Sequence, residues 1–139
     1  MKKFLSGIFL LLSVLSFWSC DKKGKENALE KELTGSWNYN LEHFRLFDGQ
    51  PVETMEIYSG TMIFHNDNTL EYKLDASNAL DTKGTWKVVD KQVYIYFYRN
   101  FYYYNGSYDI VREAGKLSLH LIYNKNDRDA ISVKFKLTK

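Results

Sequence analysis

The chain has 139 residues, 45% hydrophobic and 17% aromatic, with a formal net charge of +2. Lys2 and Lys3 account for the whole excess of base, so the remainder is balanced and lacks the clustered positive charge that a nucleic-acid partner requires. The single cysteine, Cys20, rules out a disulfide framework within the chain, so a folded domain must draw its stability from its core.

Residues 1–19 begin with the two lysines and continue in an uncharged apolar run from Phe4 to Trp18. As a helix that run would rise roughly 22 Å, short of the ~30 Å hydrocarbon core, so it reads as a signal peptide and not as a permanent span. Ser19-Cys20 resembles the junction of a bacterial lipoprotein signal, where a small residue precedes the cysteine whose thiol takes up diacylglycerol. That resemblance implies lipid attachment at Cys20 and the membrane as a partner through the lipid. It implies residence at the outer membrane, facing the periplasm or the cell surface. Residues 20–33 are strongly charged and read as a flexible tether, with one helical turn around Ala28–Lys31.

From 34 to 139 the sequence alternates with period two, broken by short turn signals. Asn66-Asp67-Asn68 as a turn sets Phe64 opposite Leu70 and Met62 opposite Tyr72. Asp90-Lys91 pairs Val88 with Val93 and Trp86 with Ile95. Asn105-Gly106, the strongest turn signal, sets Tyr103 against Tyr108 and Phe101 against Ile110, which makes Gln92 to Tyr104 one long strand. Ala114-Gly115 pairs Arg112 with Leu117 and Ile110 with Leu119, and Val133, Phe135 and Leu137 supply the last strand. Adjacent hairpins assign the same inner face to the strands they share, and a one-residue slip would invert every assignment. The long strand pairs with one neighbour through its first half and with the other through its second, a stagger that tilts a sheet towards closure. The tight turns fall at one end, and the longer connections 75–82, 124–130 and 42–57 at the other. The expected fold is all-β: an antiparallel up-and-down meander β-barrel of about eight strands, closed at one end and open at the other.

Gly35-Ser36-Trp37 resembles the G-x-W signature that opens the first strand of the lipocalins, with its tryptophan at the closed end. A second copy, Gly84-Thr85-Trp86, and the phrase GTMIFHNDNTLEYK are similar to the lipocalin-like domains of lipid-anchored proteins in Gram-negative bacteria. The resemblance covers 34–139 and implies a barrel able to hold a small hydrophobic molecule.

By the Asn105-Gly106 register, Arg99 and Arg112 point inward and face each other. Two always-charged guanidiniums in a low-dielectric cup suit a carboxylate or phosphate. The expected ligand is then a small hydrophobic or anionic amphipathic molecule, its head at Arg99 and Arg112 and its body lined by Trp37, Trp86, Tyr72, Phe97 and Tyr108. The plainer reading sends Arg99 outward at a bulge, packs Arg112 over Trp37 and leaves both tryptophans to the core. Tyr94, Tyr96, Tyr98, Tyr102 and Tyr104 fall on the outer face, either as ordinary amphipathic strand residues or as a contact surface for a partner protein. His43, His65 and His120 lie on different elements, without metal-ligand spacing. Glu53 and Glu56 read as solvated residues of a loop. No nucleophile motif or phosphate-cradling glycine loop occurs, so no enzyme, metal or cofactor is expected. Binding of a small ligand inside the barrel is the first functional expectation. The alternative is a protein-binding module, a hydrolase inhibitor or envelope assembly partner using the outer tyrosines.

Overall fold

The period-two rows become strands that wind into a closed barrel in a computed structural model, which describes residues 28–75, 82–98 and 104–139. The strands are β1 (Gly35–Phe47), β2 (Gln50–Phe64), β3 (Thr69–Leu74), β4 (Thr82–Val89), β5 (Gln92–Phe97), β6 (Gly106–Glu113), β7 (Lys116–Tyr123) and β8 (Asp129–Thr138). Each pairs with its neighbours in sequence, and β8 returns to β1 from Asn38↔Thr138 to Phe47↔Asp129. The order is up-and-down throughout.

Turn chemistry sets the register as expected at the closed end. Asn68 adopts the left-handed conformation (φ 66°), and Met62 faces Tyr72 and Phe64 faces Leu70. Both residues of Asp90-Lys91 and of Ala114-Gly115 have positive φ, the two-residue turn whose twist matches that of paired strands. They set Trp86 opposite Ile95, Val88 opposite Val93, Ile110 opposite Leu119 and Arg112 opposite Leu117.

The Asn105-Gly106 hairpin does not form. β5 ends at Phe97 and β6 begins at Gly106, with Ile95 facing Gly106 and Val93 facing Tyr108. Asn105 bridges the gap, its Oδ1 accepting from the Phe97 amide at 2.7 Å and its carbonyl accepting from the Tyr123 hydroxyl. Tyr104 turns into the core, only 4% exposed, and its carbonyl accepts the buried Tyr108 hydroxyl at 2.5 Å. Burying that ring outweighs the local turn preference. The inner face of β6 survives the change because Ala114-Gly115 sets it independently.

The stagger that closes the barrel comes from β1 and β2. The expected connection at 42–57 is strand: β1 and β2 run on to a tight turn at Asp48-Gly49, both with positive φ. Two register shifts, between His43 and Phe44 and between Arg45 and Leu46, break the alternation that would have marked these strands. β2 pairs with β1 along its whole length but with β3 only through Gly60–Phe64. The outer half of β2 therefore forms an arm beyond β3, with Val52, Met55, Ile57 and Tyr58 exposed on it, while β1 stays paired to β8 as far as Phe47.

Residues 28–33 are helical and cover the closed end. Leu29 and Leu33 are buried in the core, so the folded unit includes residues that the sequence places in the tether. The Trp37 indole N–H donates to the Leu33 carbonyl at 2.6 Å, which fastens the helical turn to the first strand. The Trp86 indole N–H donates to the His65 carbonyl at 3.0 Å, and its ring meets Phe64 edge-on at 5.1 Å. Both tryptophans are core residues of the closed end.

Candidate functional site

The inward rows of β1, β3, β5, β6 and β8 bring large rings together in the middle of the barrel. Tyr39 and Tyr72 stack with centroids 4.8 Å apart, and Tyr72 meets Phe97 at 5.3 Å. Phe135 is the hub, touching Tyr39 and Tyr108 at 5.7 Å and Tyr72 and Tyr104 at 6.1 Å. These side chains fill the interior and make a floor beneath the open end. Burial pushes the hydroxyls of Tyr39, Tyr72, Tyr104 and Tyr108 well above the ordinary tyrosine value, so they stay protonated, and those of Tyr39, Tyr104 and Tyr108 donate to the Lys73 carbonyl, Glu56 and the Tyr104 carbonyl.

A polar cluster stands on this floor towards the open end. His43 continues the inward row Trp37, Tyr39, Leu41 and is 5% exposed. Its Nδ1 lies 3.5 Å from Glu56 Oε2, directly across from it on β2. The Tyr104 hydroxyl donates to the same carboxylate oxygen, and the Tyr104 ring stands edge-on to the imidazole at 5.7 Å. The tautomer with Nδ1–H towards the carboxylate leaves Nε2 as an acceptor. Nε2 is buried and has no hydrogen-bond partner. A buried unsatisfied acceptor costs about 1–3 kcal/mol, which a donor arriving at that atom would recover.

The residues singled out in the sequence divide between the two ends. Tyr72, Phe97 and Tyr108 come together in the ring cluster, while Trp37 and Trp86 lie at the closed end. Arg112 keeps its expected partner Leu117, but its side chain is 53% exposed on the rim of the closed end and paired with Glu32 at 2.6 Å. The ladder that would set it against Arg99 is not the one formed, since β5 and β6 pair from Ile95↔Gly106 to Gln92↔Asp109. The cation over Trp37 is Lys139, 4.5 Å from the ring centroid. Cys20, Arg99 and Tyr102 lie outside the described residues. Tyr94, Tyr96 and Tyr98 are exposed on the outer face as expected, and Tyr104, expected beside them, is inside.

Glu56 and Tyr104 escaped sequence reasoning for one reason each: Glu56 lies on a bulged strand that reads as loop, and Tyr104 was placed outward by a hairpin that does not form. His43 falls within the expected connection 42–57, and only the continuation of β1 to Phe47 carries the inward row as far as its imidazole. Among the described residues no group of His, Cys, Asp and Glu is disposed to hold a metal ion. Neither known protein families, curated proteins nor solved structures give a match to this chain.

Proposed function

We propose that this is a lipid-anchored protein of the outer membrane, held through Cys20, whose barrel binds a small amphipathic ligand at its open end. The reading is supported above all by His43 Nε2, a buried acceptor without a partner beside the Glu56–Tyr104 pair. A neutral hydroxyl or amide head would donate to Nε2, and its apolar body would lie on the rings around Tyr72 and Phe135. Each Å² of apolar surface so enclosed contributes about 25 cal/mol. No bond is made or broken. The barrel works as a lipocalin-like holder, by burial with one polar contact fixing orientation.

The test compares 1-dodecanol binding by the wild type and by His43→Leu, read as ligand-induced thermal stabilisation. The wild type should be stabilised and the variant not, although the variant alone should be about 1 kcal/mol more stable for losing the orphaned acceptor. Equal stabilisation of both proteins by the alcohol would refute the site.

A second reading, a protein-binding module, is favoured by the exposed row Tyr94, Tyr96 and Tyr98, with Tyr96 and Tyr98 in ring contact at 6.0 Å. A photocrosslinker at Tyr96 should then capture a protein partner in intact cells, and no adduct at any growth stage would exclude it.

A further inference from the structure

We propose a second binding site, for an anionic lipid head group, in a groove at the closed end. The groove has a volume of about 440 Å3 and lies between the helical turns at 28–33 and the ends of β1, β6, β7 and β8. Its wall is apolar, formed by Trp37, Leu117 and Leu137, and its rim is cationic, formed by Arg112, Lys116 and Lys139. This combination matches one chemistry: an oxyanion joined to an apolar chain. Charge alone would not need Trp37 and the two leucines, and a neutral lipid would leave the rim unanswered.

Of the three cations on the rim, Arg112 is matched and the two lysines are not. Glu32 engages Arg112 through both its guanidinium Nε and Nη2, and this pairing holds the guanidinium above its ordinary pKa. Among the described side chains that line the groove, Glu32 is the acidic one. Among the described residues, neither Lys116 nor Lys139 has a carboxylate within 4.0 Å. Lys139 instead rests over the face of Trp37. An arriving phosphate diester would take Lys116 and Lys139 as partners while its chain lay against Trp37, whose indole N–H remains committed to Leu33.

The position of the groove favours a lipid from the bilayer. Residue 28 reaches the barrel at this end, and Glu32, on the same helical turns, lines the groove. Ala28 is eight Cα–Cα steps from Cys20, which limits their separation to roughly 28 Å of extended chain. A lipid on Cys20 would hold the closed end, and this groove, against the membrane surface, with the open end turned away. The groove is independent of the His43 site, since it uses other residues at the opposite end of the barrel.

The isotope-labelled full chain in octyl glucoside micelles would be titrated with dihexanoyl phosphatidylglycerol, dihexanoyl phosphatidylcholine and inorganic phosphate. The indole N–H signal of Trp37 and the amide of Gly115 report on the groove, and the indole of Trp86 serves as the internal control. Phosphatidylglycerol should shift Trp37 and Gly115 but not Trp86. Lys116→Gln with Lys139→Gln should weaken that response at least about tenfold, and phosphatidylcholine and inorganic phosphate should each bind at least about tenfold more weakly. Equal responses to the two lipids would overturn the role of charge. Inorganic phosphate binding as tightly as the lipid would reduce the site to a plain anion site and overturn the proposal, as would a silent Trp37 signal. Both lysines are on the rim, so an unchanged Trp86 signal in the double variant shows that the barrel is intact.

Discussion

The two ends of the barrel are built on different terms. At the closed end, short turns with the residues their geometry requires join neighbouring strands, and two indoles fasten the helical turn and the His65 turn to the wall. At the open end, β2 outruns β3, two register shifts interrupt its pairing with β1, and the Asn105-Gly106 hairpin is absent. The closed end satisfies its buried polar atoms locally; the open end leaves His43 Nε2 unsatisfied over an aromatic floor. Local rules suffice where the structure only has to close. They fail where β1 and β2 shift register and where the Tyr104 ring turns inward.

The comparison depends first on a packed interior separating the ends. Phe135→Ala should cost about 3–5 kcal/mol in urea denaturation, because the ring is fully buried among four others. A loss below about 1 kcal/mol would mean a loosely filled barrel and a single continuous cup.

A smaller effect should come from the junction where the arm leaves the barrel. A Cβ on Gly60 would stand 1.9 Å from the Lys73 carbonyl oxygen and 2.7 Å from the Tyr39 hydroxyl. Gly60→Ala must therefore separate β2 from β3 at the last point where they pair, at a cost of about 2–3 kcal/mol. Chemical denaturation measures that cost, and hydrogen exchange should show faster opening of β2 than of β7. Equal opening of both strands would place the junction elsewhere.

The smallest effect belongs to the outer wall, which serves both ends alike. Burial, with Lys134 nearby, holds the His120 imidazole below its ordinary pKa, against a weaker opposing pull from Asp109. Below about pH 6.5 the unfolded chain binds a proton that the folded barrel resists. Its contribution to stability is thus complete above that pH and is lost as pH falls towards the lower folded-state value. His120→Gln should reduce the drop in Tm between about pH 7.5 and about pH 5 by about a degree or two. An unchanged drop would assign the pH dependence to other groups.

Much of this molecule was legible without coordinates. Asn68, Asp90-Lys91 and Ala114-Gly115 carry turn chemistry within a few residues, and period two then fixes which side chains share a face. Those local facts determined the meander, its inside and its closed end. Tertiary packing alone decided that Tyr104 goes in, that Asn105 bridges β5 to β6, that β1 and β2 continue to Asp48-Gly49, and that Arg112 pairs with Glu32 at the rim. The reason is range. A turn preference is settled by neighbours in sequence, whereas a buried ring or a guanidinium pairs with residues far away along the chain, and their free energy can override the local signal.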